Sequence, residues 1–299
     1  MWRSRMRDNP SPSASKHRHP RPCERERGHP FEPPDSAMLY VVVAVAAIFI
    51  SGLTFFTGFG LGTLLLPFFL LVFDPQIAVA ATAVVHLVNN LFKFTLIGKH
   101  VSWRTVAAFG IPAAAAAFAG AMLLDLLAGG APIAEYPIFG RIAVITPIGL
   151  VIGLLIIGFG FFDLLPSLHD IKISRRMLPL GGVLSGFFGG LSGHQGGLRA
   201  TFLVKAGLGK EGFIATSIAC AILVDIVRIT VYGLTFISGN FEAVFGGGGG
   251  SLLLTATLAA FVGAVIGRYL LHKTTLRFIR IMVGALMLLT GALVTAGII

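Results

Sequence analysis

GFFGGLSGHQGGLRATFLVKAGLG, residues 186–209, begins as an apolar run and is interrupted by Gly193-His194-Gln195-Gly196-Gly197 before it resumes. The resumed piece, 196-208, is about a dozen residues, short of the roughly 20 that a straight helix needs to cross hydrocarbon. Polar side chains and glycines in mid-run break a helix where its backbone cannot turn to lipid, and such breaks line sites rather than loops. The new helix carries Arg199 in its first turn. Its free N–H groups and positive dipole end favour an anion, and the guanidinium adds a planar fork matched to oxyanions. His194 and Gln195 supply further polar groups. No strand precedes the glycines, so a dinucleotide-binding loop is excluded.

The rest of the chain has the same character. Of 299 residues 55% are hydrophobic and 12% charged, with mean hydropathy +0.87, against about a quarter charged in soluble domains. Apolar segments fall at 38-58, 62-73, 77-97, 104-127, 141-162, 179-192, 196-208, 212-234, 252-271 and 276-298. These predict an all-α integral membrane protein of about 8–10 transmembrane segments, with short broken or re-entrant helices at 62-73 and 196-208. The net charge of +10 resides in a terminal tail and in loops, which speaks for orientation in a bilayer and against nucleic acid. The two cysteines, Cys23 and Cys220, show no ligand spacing, so no metal or cofactor is expected.

Residues 1-37 are rich in Pro, Ser, Arg and His and predict a disordered basic tail. They read as an extension placed upstream of a start at Met38, the alternative being an arm that touches anionic lipid. Residues 38-299 are expected to form one transmembrane domain. If all ten segments cross and Met38 is preceded by the outside, the inside connections hold Lys99, Arg104, Lys172, Arg175, Arg176, Lys210, Arg268, Lys273, Arg277 and Arg280, the outside connections hold only Arg141, and the basic tail alone conflicts unless Met38 is the start. That bias fits the positive-inside rule; an eight-crossing arrangement breaks it at 268-280.

Five segments per half imply that any duplication is inverted. Gly58-Phe59-Gly60-Leu61-Gly62 and Gly193-His194-Gln195-Gly196-Gly197 stand 193 − 58 = 135 positions apart. The same offset pairs Thr82 with Ser217, Asn90 with Asp225, Lys93 with Arg228 and Gly98 with Gly233. The expected repeats are 38-165 and 178-299.

Basic residues inside apolar segments cost about 2.5 to 3.5 kcal/mol each at a helix centre on insertion scales. Lys93, Arg199, Lys205 and Arg228 are four such residues. Lys205 adjoins a glycine break and reads as snorkelling to the headgroups. Thr82, His86, Asn89 or Asn90, and Lys93 share one helical face, and Ser217, Asp225 and Arg228 mark the partner helix. Asp225 and Arg228 are i,i+3 neighbours able to neutralise one another. The candidate anion-binding residues are Gly58, Gly60, Gly62, His86, Asn90, Lys93, His194, Gln195, Gly196, Gly197, Arg199 and Arg228, with Asp225, His194 and His86 as proton-coupling candidates. Gly149 with Gly153, and Gly263 with Gly267, have the spacing of helix-packing surfaces.

Gly58 to Gly62, Pro67, Ala80-Ala81-Thr82 and Ser102-Trp103 after Gly98, followed by Gly186 to Gly193 and Gly197, resemble the two halves of the sulfite exporter TauE/SafE family. The resemblance covers most of the chain after Met38. It implies a multi-pass permease of the cytoplasmic (inner) membrane of a bacterium or archaeon, moving sulfite, a sulfonate or a related anion, often outward. GFGLG in place of a glycine run, and the pair His194-Gln195, depart from the family pattern and bear on the substrate rather than the fold.

Buried cations outnumber buried acids, which favours an anion over a cation. The expectation is a transporter working by alternating access, with the lipid bilayer and a small anion as partners, and with a homo-oligomer compatible. The alternative is an ion channel or passive anion pore of the same topology. Neither a nucleophile-base pair nor paired carboxylates are present to suggest an enzyme.

Overall fold

The computed structural model describes residues 36–57, 61–70, 72–138, 140–165, 174–237, 248–270 and 276–298. Residues 1–35 and the glycines Gly58 and Gly60 lie outside these. Among the described residues the helices are α1 (Ser36–Thr57), α2 (Leu61–Leu70), α3 (Pro75–Ile97), α4 (Trp103–Ala128), α5 (Pro147–Leu164), α6 (Leu178–Ser192), α7 (Gly196–Leu203), α8 (Lys210–Tyr232), α9 (Gly249–Leu270) and α10 (Leu276–Thr295). By length and composition α1, α3, α4, α8 and α9 can each cross a bilayer; α5 and α10 hold shorter apolar stretches. The protein is an all-α, multi-pass integral membrane protein.

Local sequence sets the ends and irregularities of these helices. Pro75 and Pro147 occupy first-turn positions, where the missing N–H costs no hydrogen bond. Thr146 caps α5, its hydroxyl accepting from Gly149 N at 3.1 Å. Within α4, Pro112 has no N–H and its ring crowds the carbonyl one turn back. The helix widens there into a π turn over Val106–Gly110, and Ile111 N donates to Val106 O.

One part of the chain differs from the sequence expectation. Residues 141–145, expected as the start of a helix, form strand β2 (Arg141–Ile145), paired antiparallel with β1 (Ala134–Ile138). The β-branched Ile142, Val144 and Ile145 suit a strand, and helix resumes only at the Thr146-Pro147 start signal. The hairpin is tied to the end of α10: Tyr136 Oη donates to Ala296 O at 2.6 Å and Val144 N to Gly297 O at 3.1 Å. Tyr136→Phe is expected to lower stability by about 1 kcal/mol, read as a small fall in melting temperature in detergent.

Helices meet through glycines. A methyl at Gly182, Gly186 or Gly190 of α6 would stand 2.3, 1.9 or 2.1 Å from the carbonyl oxygens of Phe109, Ala113 and Ala117 on α4. Gly120 of α4 faces Phe187 O in the same way, at 2.1 Å. α1 and α9 cross likewise, Gly263 against Ile48 O and Gly267 against Gly52 O, at 2.1 and 2.7 Å. Between α5 and α10, Gly153 meets Gly291 and Gly160 meets Gly284. Close backbone approach of this kind holds helices together where lipid offers no hydrophobic drive. Gly153, Gly263 and Gly267 thus serve as packing glycines, and Gly149 faces both its own cap residue, Thr146, and Val294 O of α10 at 3.7 Å.

The element boundaries repeat at a fixed interval. Thr57 and Ser192, Leu61 and Gly196, Pro75 and Lys210, and Ile97 and Tyr232 are each 135 positions apart. The helices α3 and α8, the two most buried of the long spans, pack against each other at the centre.

Candidate functional site

Asp225 is the centre of the polar core. It projects from α8, is fully buried, and both its oxygens accept from other elements. Oδ2 lies 2.6 Å from His86 Nδ1 and accepts from Asn90 Nδ2 at 3.4 Å, both on α3. Oδ1 accepts from Gln195 Nε2 at 3.2 Å, at the α6/α7 break, and from Arg228 Nε at 3.0 Å. Arg228 Nη2 stands 2.9 Å from the same oxygen, at an angle too poor for a second hydrogen bond. A carboxylate only accepts, so His86 Nδ1 carries the proton of that short contact. In the neutral ring Nε2 is then the acceptor, and Asn90 Nδ2 lies 3.2 Å from it.

Arg228 also holds the end of a broken helix. Its Nη1 donates to Gly189 O at 3.3 Å, and Tyr232 Oη, one turn on, donates to Gly190 O. These are carbonyls near the C-terminus of α6, where the dipole is negative, so a cation is favoured; Gly189 O also accepts from Gly193 N at 3.0 Å. Gly193 follows with φ 81°, a left-handed conformation that side chains resist. A methyl there would also meet Arg228 Nη1 at 2.9 Å. Lys93 does not snorkel: it is buried, and Nζ donates to Ser51 O of α1 at 3.4 Å. Lys205, by contrast, is partly exposed beside Gly207.

Arg199 sits in the first turn of α7 and is buried. Its Nε donates to Ser217 Oγ of α8 at 2.8 Å and Nη1 to Gln195 Oε1 at 2.9 Å. The Gln195 amide therefore joins the two charged groups, its NH₂ toward the carboxylate and its oxygen toward the guanidinium. Ser185 Oγ donates to Gln195 O at 3.0 Å and fixes the backbone of the break. Gly196 is buried at the helix start with Gly197 beside it. His194 Nδ1 lies 3.0 Å from Ser192 O, and its ring stacks on Phe159 with centroids 5.7 Å apart. Nδ1 donates to that carbonyl, so Nε2 is an acceptor unless the ring is protonated; among the described residues it has no hydrogen bond.

The fold thus joins His86, Asn90, Gln195, Arg199, Asp225 and Arg228 into one hydrogen-bonded cluster. Gly62 packs beside it, a methyl there meeting Thr82 and the His86 ring at 3.5 and 3.6 Å. Lys93 belongs to a neighbouring group with Ser51 and Asn89, in which Ser51 Oγ donates to Asn89 Oδ1 at 3.3 Å. Gly58 and Gly60 fall outside the described residues. Tyr232 and Ser185 were not among the expected residues. Tyr232 extends the polar face of α8 by one turn from Arg228, a helical spacing that would have flagged it; Ser185 carries no such signal.

Among the described residues no set of His, Cys, Asp and Glu is arranged to hold a metal ion. The buried charged side chains there are Lys93, Arg199 and Arg228 against one carboxylate, Asp225, with His86 and His194 nearby. Cationic side chains thus outnumber carboxylates in this cluster.

The family model for the sulfite exporter TauE/SafE matches residues 40–294. No curated protein and no solved structure matches the chain. Since the family match runs from the first spanning helix to the last, the chain belongs to the sulfite exporter TauE/SafE family.

Proposed function

We propose that this chain is a permease of the cytoplasmic membrane that moves a small sulfur oxyanion, sulfite or a sulfonate, by alternating access about the α6/α7 break. The family is one of membrane transporters of sulfur anions. The observation that carries the finer reading is Arg199 buried in the first turn of a helix that starts at the break. An oxyanion there would meet the N–H groups of Gly196 and Gly197, which the helix leaves without intrahelical partners, and the guanidinium. Arg228 and Lys93 add positive field from the two halves. A movable two-part frame is supported by the fixed interval between element boundaries and by the exchange it implies: α6 packs on α4 as α1 packs on α9. Two inverted halves rocking about a shared centre would give such an exchange.

The test is uptake of radiolabelled sulfite and of a radiolabelled sulfonate into proteoliposomes. The parent should saturate, and Arg199→Ala should lose about 100-fold or more of its rate, the scale seen when a preorganised oxyanion donor is removed. Arg199→Lys should recover a minor part, since it restores charge without the fork. An Arg199→Ala protein as fast as the parent would overturn the assignment. Flux that rises linearly with concentration would point instead to a passive pore.

A further inference from the structure

A chain of hydrogen bonds links the α7 start to a titratable ring. From Arg199 Nη1 it runs 2.9 Å to Gln195 Oε1, from Gln195 Nε2 3.2 Å to Asp225 Oδ1, and from Asp225 Oδ2 2.6 Å to His86 Nδ1. Every member is buried. With His86 neutral, the cluster of His86, Asp225, Arg199 and Arg228 carries one carboxylate against two guanidinium groups. Resting on the anion reading above, we propose that His86 Nε2 takes up one proton for each anion bound at Arg199, so that proton and anion travel together.

The proton adds to the Nε2 lone pair and turns imidazole into imidazolium; Nδ1–H stays on the Asp225 carboxylate, and the Asn90 amide, whose Nδ2 stands 3.2 Å from Nε2, turns its NH₂ away. An anion offsets the excess positive charge that would otherwise oppose this proton. By linkage the proton strengthens anion binding by the same factor, with couplings of this kind running from about 5- to 150-fold. The charged groups that act on the ring are Asp225 and Arg228 on α8 and Arg199 on α7. Lys93 lies two turns along α3, and α2 presents Gly62, which does not titrate. His194 stands outside the chain of bonds: its Nδ1 is engaged by Ser192.

The experiment is calorimetric titration of the purified parent with isethionate, a sulfonate that stays ionised at all working pH values, in two buffers of different ionisation heat. The parent should take up a fraction of a proton approaching one per anion. Its affinity should fall on the order of tenfold as pH is raised from about 5 to 8, where histidine loses its charge. His86→Gln keeps a donor for Asp225 but holds no proton; it should bind isethionate with no proton uptake and a flat pH profile. His194→Gln should still take up the proton. Anion binding by the parent without proton uptake overturns the coupling and leaves the anion site standing, as does uptake that survives in His86→Gln. If the parent binds neither isethionate nor sulfite, the anion reading fails, and the coupling with it. Should His86→Gln fail to fold, His86→Asn replaces it, and the parent in two buffers still decides.

Discussion

Arg228→Ala is expected to abolish transport and to destabilise the protein by about 3–5 kcal/mol, the scale for removing one partner of a buried ion pair. Both Arg228 and Asp225 are 0% exposed, so no solvent replaces the lost guanidinium. The carboxylate would keep its contacts with His86, Asn90 and Gln195 but lose its compensating charge, and Gly189 O would keep only the Gly193 N–H as donor at the end of α6. Asp225→Asn combined with Arg228→Ala should restore much of the melting temperature, because no uncompensated carboxylate remains, and none of the transport. Thermal unfolding in detergent with uptake into proteoliposomes reads both quantities. If Arg228→Ala melts with the parent, the pair does not hold the two elements together.

The second large effect lies away from the site. Gly186→Leu is expected to yield no folded protein, and Gly186→Ala to cost about 3 kcal/mol or more, at the upper end for overpacking. A methyl at that position would lie 1.9 Å from Ala113 O and 2.5 Å from Ala113 C. Those atoms are backbone, and no rotamer change relieves the contact. α4 would have to withdraw, loosening the contacts of Gly182 and Gly190 as well. Gly158 on α5 is the control: nothing lies within 4 Å of a methyl there, and alanine is the better helix former. Gel filtration and melting of Gly186→Ala beside Gly158→Ala check the contrast; equal behaviour would mean that the α4/α6 crossing has room to spare.

Much of this was legible in the chain, for identifiable reasons. Apolar length located the helices, and the glycine and polar interruption at 193–195 located the break, because membrane helices stop only where other groups can satisfy the backbone. His86, Asn90, Asp225 and Arg228 declared themselves through the cost of polar groups in apolar segments. What the sequence left open was which groups meet. The bond between Arg199 and Ser217, the stacking of His194 on Phe159 and the seat of Lys93 on Ser51 O depend on how helices distant in sequence cross. Gly182, Gly186 and Gly190 announce a packing face, but not that α4 covers it. The strand at 141–145 was hidden because a short apolar run fits helix or strand equally well.

One contact joins two positions at the same interval that separates the matching helix ends, the 3.4 Å approach of Asn90 to Asp225. Had both been aspartates, two anions in a dry interior at that distance could not have stayed ionised together. An amide opposite an acid turns mutual repulsion into attraction. Whatever likeness the two parts of the molecule have therefore stops short of a second ionised carboxylate at this spot.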